Sequence, residues 1–333
     1  MAADRRTVLI TGGTGFIGAH LARRLAERGG LAVLLDIAPL DAEMTWLLRP
    51  VRDRVRVEQA SVTDPAALRA LCERHGVGDV VHIGGIASSD SLLHRPDLAL
   101  TVNVGGTVHV LETVRALGLR RCLYFSSVGV LPPRQYEPID SRHPLILADA
   151  GPSTGFYGAS KLAGEAFCFA HRQAFGTDVV IVRPSAVYGF GMRVPNFIKP
   201  MVEGSVRGEP VSFDHGAELA RDYTHVADVA QLALCALDAA PETLTERVFY
   251  GATGQPLTTA RQVAEVVRRV LPDARVSITG GLTEADRWKS QFRGQLDVEP
   301  ARRLLGYAPQ YAALEAGVAE YAATYHRFLE ETR

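Results

Sequence analysis

Thr7-Val8-Leu9-Ile10-Thr11-Gly12-Gly13-Thr14-Gly15-Phe16-Ile17-Gly18 is the stretch on which the fold turns. Residues Thr7 to Thr11 read as a strand buried on both faces, and Phe16 to Glu27 shows the apolar spacing of a helix. The glycines between them let the chain turn tightly and let backbone N–H groups approach a pyrophosphate at the positive end of that helix. Gly12, Gly15, Phe16, Ile17 and Gly18 are therefore candidate dinucleotide contacts. A second requirement is an acid at the end of the next strand, and Ala32 to Asp36 supplies Asp36, eighteen positions beyond Gly18. Its carboxylate accepts from ribose hydroxyls and repels the extra phosphate of NADP, while Ile37 and Ala38 bring no cation. The expected cofactor is NAD, with Asp36 and Ile37 at its adenosine end.

Working outward, strand-like runs recur at Arg54 to Glu58, Asp79 to Ile83, Arg121 to Ser126 and Asp178 to Arg183. Helical patterns at Pro65 to Arg74, Leu98 to Leu117 and Phe156 to Phe175 separate them. This alternation predicts an α/β fold, a Rossmann-type doubly wound parallel sheet with helices on both faces. Thr63-Asp64-Pro65 offers a helix start, and Gly76, Gly118 and Gly176 stand where helices stop. After Gly189 the pattern breaks up, with short strand candidates Val211 to Phe213, Arg247 to Tyr250 and Arg275 to Ile278. The expected division is an NAD-binding domain over 1–189 and a smaller C-terminal α/β substrate lobe over 190–333. The apolar helix Val226 to Ala240 is read as returning, with the rest of 226–250, to the main sheet.

With 36 Lys and Arg against 37 Asp and Glu, the net charge is −1, so no basic field exists to attract nucleic acid. A hydrophobic content of 47% is ample for a large core. Met1 to Arg6 leads straight into a strand without a signal-peptide pattern, and no apolar run is long enough for a bilayer, so no membrane role is expected. Cys72, Cys122, Cys168 and Cys235 are scattered and read as reduced core residues of a cytoplasmic protein. The ten histidines show no metal-ligand spacing, and no metal is expected.

Tyr157-Gly158-Ala159-Ser160-Lys161 puts a phenol and an ammonium on one helical face. A phenol ionises near pH 10, so acid–base work near neutrality needs a cation beside it. Taken alone, such a pair also fits a helix surface. Phe125-Ser126-Ser127 favours chemistry, because it places hydroxyls at the C-terminal edge of the sheet, where ligand-contacting groups gather.

The motifs together resemble the extended short-chain dehydrogenases/reductases, the NAD-dependent epimerase/dehydratase family that includes UDP-galactose epimerase. The resemblance rests on GGTGFIG at Gly12 to Gly18, VVHIGG at Val80 to Gly85, Asn103-Val104-Gly105-Gly106-Thr107, FSS at Phe125 to Ser127 and YGASK at Tyr157 to Lys161. It continues through RPSAVYG at Arg183 to Gly189, Arg221-Asp222-Tyr223-Thr224-His225-Val226 and Leu296-Asp297 with Leu305-Gly306-Tyr307. It implies Tyr157 as the base, Lys161 holding the nicotinamide ribose and Ser127 hydrogen-bonding the reacting oxygen. It also implies cofactor contacts at Ile83, Gly84, Gly85 and Pro184, and an adenine contact through Ser61 or the Val62 backbone. Asn103 either lies beside the cofactor or caps a helix start, and His225 reads as structural. A homodimer through the helices Leu98 to Leu117 and Phe156 to Phe175 follows by the same resemblance.

Family dehydratases carry Asp-Glu after the catalytic hydroxyl residue. Here Val128-Gly129 follows Ser127, which disfavours dehydration. Family epimerases anchor the substrate diphosphate with arginines, and Arg221 and Arg287 fall near such positions. The leading expectation is an NAD-dependent nucleotide-sugar epimerase. The alternative is an NAD-dependent dehydrogenase of a free sugar, sugar acid or other secondary alcohol, suggested by Ala186 in RPSAVYG and by Gly84-Gly85. A protein that keeps the fold without turnover is a third class, opposed by the intact Ser127, Tyr157 and Lys161.

Overall fold

The structure, a computed structural model, describes residues 6–194 and 196–332; of the N-terminal stretch read above, residues 1–5 lie outside it. Seven strands form the central sheet: β1 (Thr7–Thr11), β2 (Leu31–Asp36), β3 (Val55–Gln59), β4 (Asp79–His82), β5 (Arg121–Phe125), β6 (Val179–Pro184) and β7 (Val248–Gly251). Their order is β7-β6-β5-β4-β1-β2-β3, and every pair is parallel. Strands that follow one another in sequence step outward in one direction from β1 to β3 and then in the other from β4. The direction reverses between β1 and β4, and at such a point the loops leaving neighbouring strands part to open a crevice.

The flanking helices are α1 (Phe16–Glu27), α2 (Pro65–His75), α3 (Gly105–Ala116), α4 (Phe156–Phe175) and α5 (Val226–Asp238). Leu21, Leu25 and the α5 residues Val229, Ala233 and Leu237 bury together against one face of the sheet. Leu68, Leu71, Val110, Leu111, Val114 and Cys168 of α2, α3 and α4 cover the other. Asp64 starts α2 as the sequence predicts, accepting from Ala66 N and Ala67 N at 3.0 Å each.

Helix α5 packs on α1, and β7 pairs with β6 from Val248↔Ile181 to Gly251↔Pro184. The stretch Arg247 to Tyr250, met in the sequence among the strands of the smaller lobe, falls in the sheet's edge strand, whose bounds are Val248–Gly251. Outside the sheet the strands come as short pairs: Ala186–Tyr188 with Tyr223–His225, Val211–Phe213 with Val276–Ile278, and Ala220–Arg221 with Thr258–Thr259. Helices Ile198–Val206, Ala260–Val270 and Leu314–Glu331 pack around them.

The pattern Leu98 to Leu117 reads as one continuous helix, and the chain is helical without a break from Pro96 to Ala116, but Ala99–Val104 takes a wider π turn ahead of α3. Asn103 sits in that turn, and its side chain binds the backbone of Ile86; π turns of this kind are frequent beside functional sites. Among the described residues no helix is long and apolar enough to cross a membrane.

Candidate active site

β1 delivers the glycine turn to the crevice. Gly12 holds φ +67°, and a Cβ there would lie 2.9 Å from Gly84 N. A Cβ on Gly18 would lie 2.4 Å from the Gly12 carbonyl oxygen, so α1 packs against the turn with no space for a side chain. Gly15 precedes α1 without a side-chain cap, which leaves the first-turn N–H groups free for an anion. Asp36, at the end of β2, accepts from Ala38 N at 3.3 Å, beside the largely exposed Ile37. These features form the cradle a dinucleotide diphosphate and ribose require.

The loop after β4 is fixed from below by a chain of hydroxyls. Thr11 Oγ1 accepts from Gly84 N at 3.0 Å and lies 2.7 Å from His82 Nδ1. Thr107 gives its proton to the Asn103 carbonyl at 2.6 Å, so at 3.1 Å it accepts from His82 Nε2. Burial pushes the His82 pKa down to about 3, so the ring is neutral; with its one proton on Nε2 facing Thr107, Nδ1 accepts from Thr11. Asn103 Oδ1 then accepts from Ile86 N at 2.7 Å, while its Nδ2 donates to the Ile86 carbonyl and to Ser160 Oγ.

These loops line a cleft of about 1140 Å³. Of the residues singled out in the sequence, it brings together Gly12, Gly15, Phe16, Ile17, Asp36, Ile37, Ser61, Val62, Ile83, Gly84, Gly85, Ser127, Tyr157, Lys161, Pro184 and Arg221. Gly18 stands behind the turn, where it permits close packing. Asn103 neither faces the cleft nor caps a helix; it is buried beneath the Gly85-Ile86 loop and holds it in place. Arg287 is a correction: it is exposed on the helix Glu284–Ser290 and is not part of the lining. Arg293, just beyond that helix, is the guanidinium that enters the cleft, held by Nη1 donating to the Ala220 carbonyl at 3.1 Å. Lys289, Trp288 and Phe292 accompany it, the two rings edge to face at 4.6 Å between centroids.

Ser127, Tyr157 and Lys161 converge at the ends of β5 and α4. Ser127 Oγ accepts from Gly129 N at 2.9 Å, which orients the hydroxyl. Lys161 Nζ donates to the Phe125 carbonyl at 2.8 Å and lies 5.1 Å from the Tyr124 ring centroid. Burial lowers its pKa to about 8, opposed by the nearby Cys168 and Glu165. The Tyr157 phenol is pushed above its usual value by burial, with a hydrogen bond to Ser127 acting the other way. The protein groups alone thus keep the phenol protonated.

Sequence reasoning did not assign the buried pair behind these groups. Glu165, one turn past Lys161, receives Arg183 Nε at 2.8 Å and Nη2 at 2.6 Å, and also accepts from Ser126 Oγ at 2.5 Å. Arg183 was visible within RPSAVYG, but its partner lies on another element.

A parallel sheet with a glycine turn at its reversal point, an acid after β2, and Ser, Tyr and Lys on the same cleft defines a dinucleotide-dependent enzyme of the extended short-chain dehydrogenase/reductase class. The family model "NAD dependent epimerase/dehydratase family" matches residues 8–250. Mouse UDP-glucose 4-epimerase is 30% identical over 278 residues, covering 74% of this chain and 77% of that protein. A dTDP-4-dehydro-6-deoxy-D-allose reductase from Streptomyces bikiniensis is 31% identical over 255 residues, covering 72% and 75%. A UDP-glucose 4-epimerase from Thermotoga maritima, solved with UDP-glucose, shares the fold with a TM-score of 0.81 at 22% identity, covering 97% of this chain and 99% of that one. A GalE-like L-threonine dehydrogenase from Cupriavidus necator aligns with a TM-score of 0.79 at 25% identity, covering 95% and 99%. The chain belongs to the NAD dependent epimerase/dehydratase family, and it is an NAD-dependent enzyme.

Proposed function

We propose that the protein is an NAD-dependent nucleotide-sugar epimerase that works through a transient keto sugar. The observation that carries this reading is the pair Arg221 and Arg293. Both line the cleft; Arg293 bonds a carbonyl, that of Ala220, and Arg221 Nε is buried with no hydrogen-bond partner. Burial first, and Arg221 second, lower the pKa of Arg293 to about 10. Two guanidiniums held close together with no carboxylate bridging them, Asp286 acting on Arg293 only at a distance, are stabilised by a ligand with two negative charges, and a diphosphate supplies them in a geometry that suits guanidinium forks. Trp288 and Phe292 offer a nucleobase an aromatic surface beside that anchor. A cleft of about 1140 Å³ also exceeds the ~300–1,000 Å³ typical of a single ligand site, which suits a cofactor and a substrate together.

The catalytic reading assigns Tyr157 Oη to take the proton of a sugar hydroxyl and to return it, Ser127 Oγ to hydrogen-bond the same oxygen, and Lys161 to hold the nicotinamide ribose. Bound NAD supplies the acceptor, and later the source, of hydride. Because the phosphates are anchored at Arg221 and Arg293, the keto sugar turns over without leaving, and the opposite face receives the hydrogen. The raised pKa of Tyr157 means that the positive charge of an oxidised nicotinamide, together with the Lys161 ammonium, has to favour the phenolate. Within this reading, 1–189 with 226–250 forms the dinucleotide-binding unit and the rest forms the substrate lobe. The protein acts in the cytoplasm as a homodimer, and the pairing is supported by exposed Leu100, Phe167, Phe169 and Phe175 on the helices expected to meet.

A second reading, net oxidation of a free sugar acid or other secondary alcohol, is favoured by Ala186 on the cleft wall and by relatives named as a reductase and a dehydrogenase. Incubation of the protein and NAD with UDP- and dTDP-hexoses, followed by chromatography of the sugars, separates the two. The epimerase reading expects a C-epimer without accumulation of reduced cofactor. Stoichiometric NADH with free sugar acids, and no epimer from any nucleotide sugar, overturns it.

A further inference from the structure

The segment Phe190–Arg193 leaves the substrate side of the cleft after Tyr188 and crosses to the cofactor side. Its base is rigidly held. Phe190 is buried, its carbonyl is 2.8 Å from His20 Nε2 of α1, and its ring meets Trp46 edge to face at 5.3 Å. Gly191, at φ +83°, packs so tightly that a Cβ would lie 2.1 Å from Met44 Cε, and Met192 is buried beside it.

From this base the Arg193 side chain reaches the rim of the glycine turn. Nη2 donates to Asp41 Oδ2 at 2.9 Å and lies 3.5 Å from the carbonyl oxygen of Thr14, inside the turn itself. Asp41 is fixed in its own right, because its Oδ1 caps the helix Ala42–Leu48 by accepting from Met44 N at 2.8 Å. The Arg193 side chain is 54% exposed, and its Nε and Nη1 donors have no partner among the described residues. The guanidinium is thus aimed by one carboxylate and keeps the rest of its fork available.

The other cations of the cleft are committed elsewhere. Lys161 binds the Phe125 carbonyl, and the reading proposed above assigns Arg221, Lys289 and Arg293 to the substrate. The first turn of α1 presents free N–H groups but no basic side chain. Among the described residues that line the cleft, the basic side chain that reaches the turn is Arg193, drawn there by Asp41.

We propose that Arg193 binds the diphosphate of the dinucleotide, closing over the glycine turn from the substrate side, with Asp41 as the residue that orients it. The proposal rests on NAD as cofactor and is independent of whether the reaction is epimerisation or net oxidation. It ties the grip on the cofactor to the segment that leads out of the substrate wall.

The test is binding measured by calorimetry on the full chain freed of nucleotide, with NAD, ADP-ribose and UDP as probes. Arg193→Ala is expected to raise the Kd for NAD and ADP-ribose about 10- to 100-fold, as loss of a charged hydrogen-bonded contact does, and to leave UDP within about twofold. Arg193→Lys keeps the charge without the fork and falls between. Asp41→Asn, which keeps the helix cap and removes the ion pair, weakens NAD several-fold. Unchanged NAD and ADP-ribose binding in Arg193→Ala overturns the proposal. Selective loss of UDP also overturns it, by placing the arginine on the substrate. Equal loss of all three probes with a lowered Tm means a general loosening of the cleft and overturns it as well.

Discussion

Glu165 and Arg183 face each other through two parallel hydrogen bonds, Nε to Oε1 at 2.8 Å and Nη2 to Oε2 at 2.6 Å, with both side chains only 2% exposed. The pair joins α4, which carries Tyr157 and Lys161, to β6, which runs into the cleft wall at Pro184. Through Ser126 it also reaches the end of β5, one residue from Ser127. Arg183 Nη1 continues to Tyr250 Oη at 3.2 Å, and that hydroxyl donates to the Asp140 carbonyl at 3.0 Å. Three elements that must agree in position for the site to form are thus held by one carboxylate.

Removing one member leaves a buried charge without its partner, which costs about 3–5 kcal/mol. Glu165→Gln is expected to lower stability by that order in urea unfolding followed by circular dichroism. Glu165→Leu combined with Arg183→Met removes both charges and is expected to cost less than the two single changes added together. Additive losses would mean that the two side chains contribute independently and that the pairing is incidental.

Tyr157→Phe deletes the only atom of that side chain able to move a proton while keeping its ring. Turnover is expected to fall about 10²- to 10⁴-fold with the NAD Kd unchanged. Ser127→Ala acts differently, because the hydrogen bond from Ser127 holds the phenol's pKa down against burial. Activity that needs the phenolate rises with pH through that pKa, so the rising limb of the pH–rate profile in Ser127→Ala is expected to move to higher pH. A profile that keeps its position while kcat drops would show that Ser127 touches the substrate without tuning Tyr157.

Arg221→Ala and Arg293→Ala are expected to raise the Kd for a nucleoside diphosphate about 10- to 100-fold each. Arg287→Ala, on the exposed face of its helix, is expected to change it by less than about twofold. Calorimetric titration of UDP into the NAD-loaded protein checks all three variants. A large effect from Arg287→Ala, with none from Arg293→Ala, would move the second anchor to Arg287.

That last contrast shows where sequence reading stops. The glycine turn, Asp36 and the Tyr157–Lys161 pair were legible because each is local: a strand end, a turn and a helix start fix their positions within a few residues. Arg293 was not, because what turns it into the cleft is the Ala220 carbonyl on a distant strand. Six residues earlier Arg287 looks equivalent in sequence, yet the Thr283 and Asp286 capping box sets a short helix that turns it to solvent. Asn103 was recognised, but its orientation depends on a π turn that apolar periodicity does not reveal. Glu165 reads as an ordinary polar residue one turn past Lys161 until β6 brings Arg183 against it.

Acid is expected to weaken the protein through two buried histidines. His82 is held neutral between Thr11 and Thr107, and burial lowers its pKa to about 3; His20, against the Phe190 carbonyl, is lowered to about 4 for the same reason. In the unfolded chain both titrate near about 6.5. Below that pH the unfolded state takes up two protons that the folded state refuses, so stability falls as the pH drops from about 6.5 toward 4, with a slope from this pair approaching about 2.7 kcal/mol per pH unit. Carboxylates with shifted pKa values contribute over the same range, so the measurement that isolates the histidines is a difference. Urea unfolding at pH 7, 6 and 5 is compared between the parent and His20→Gln, which keeps an N–H donor for the Phe190 carbonyl but cannot titrate. The variant is expected to lose about half of that slope. An identical pH dependence in the two proteins would mean that His20 charges freely in the folded state, and that the contact between α1 and Phe190 survives its protonation.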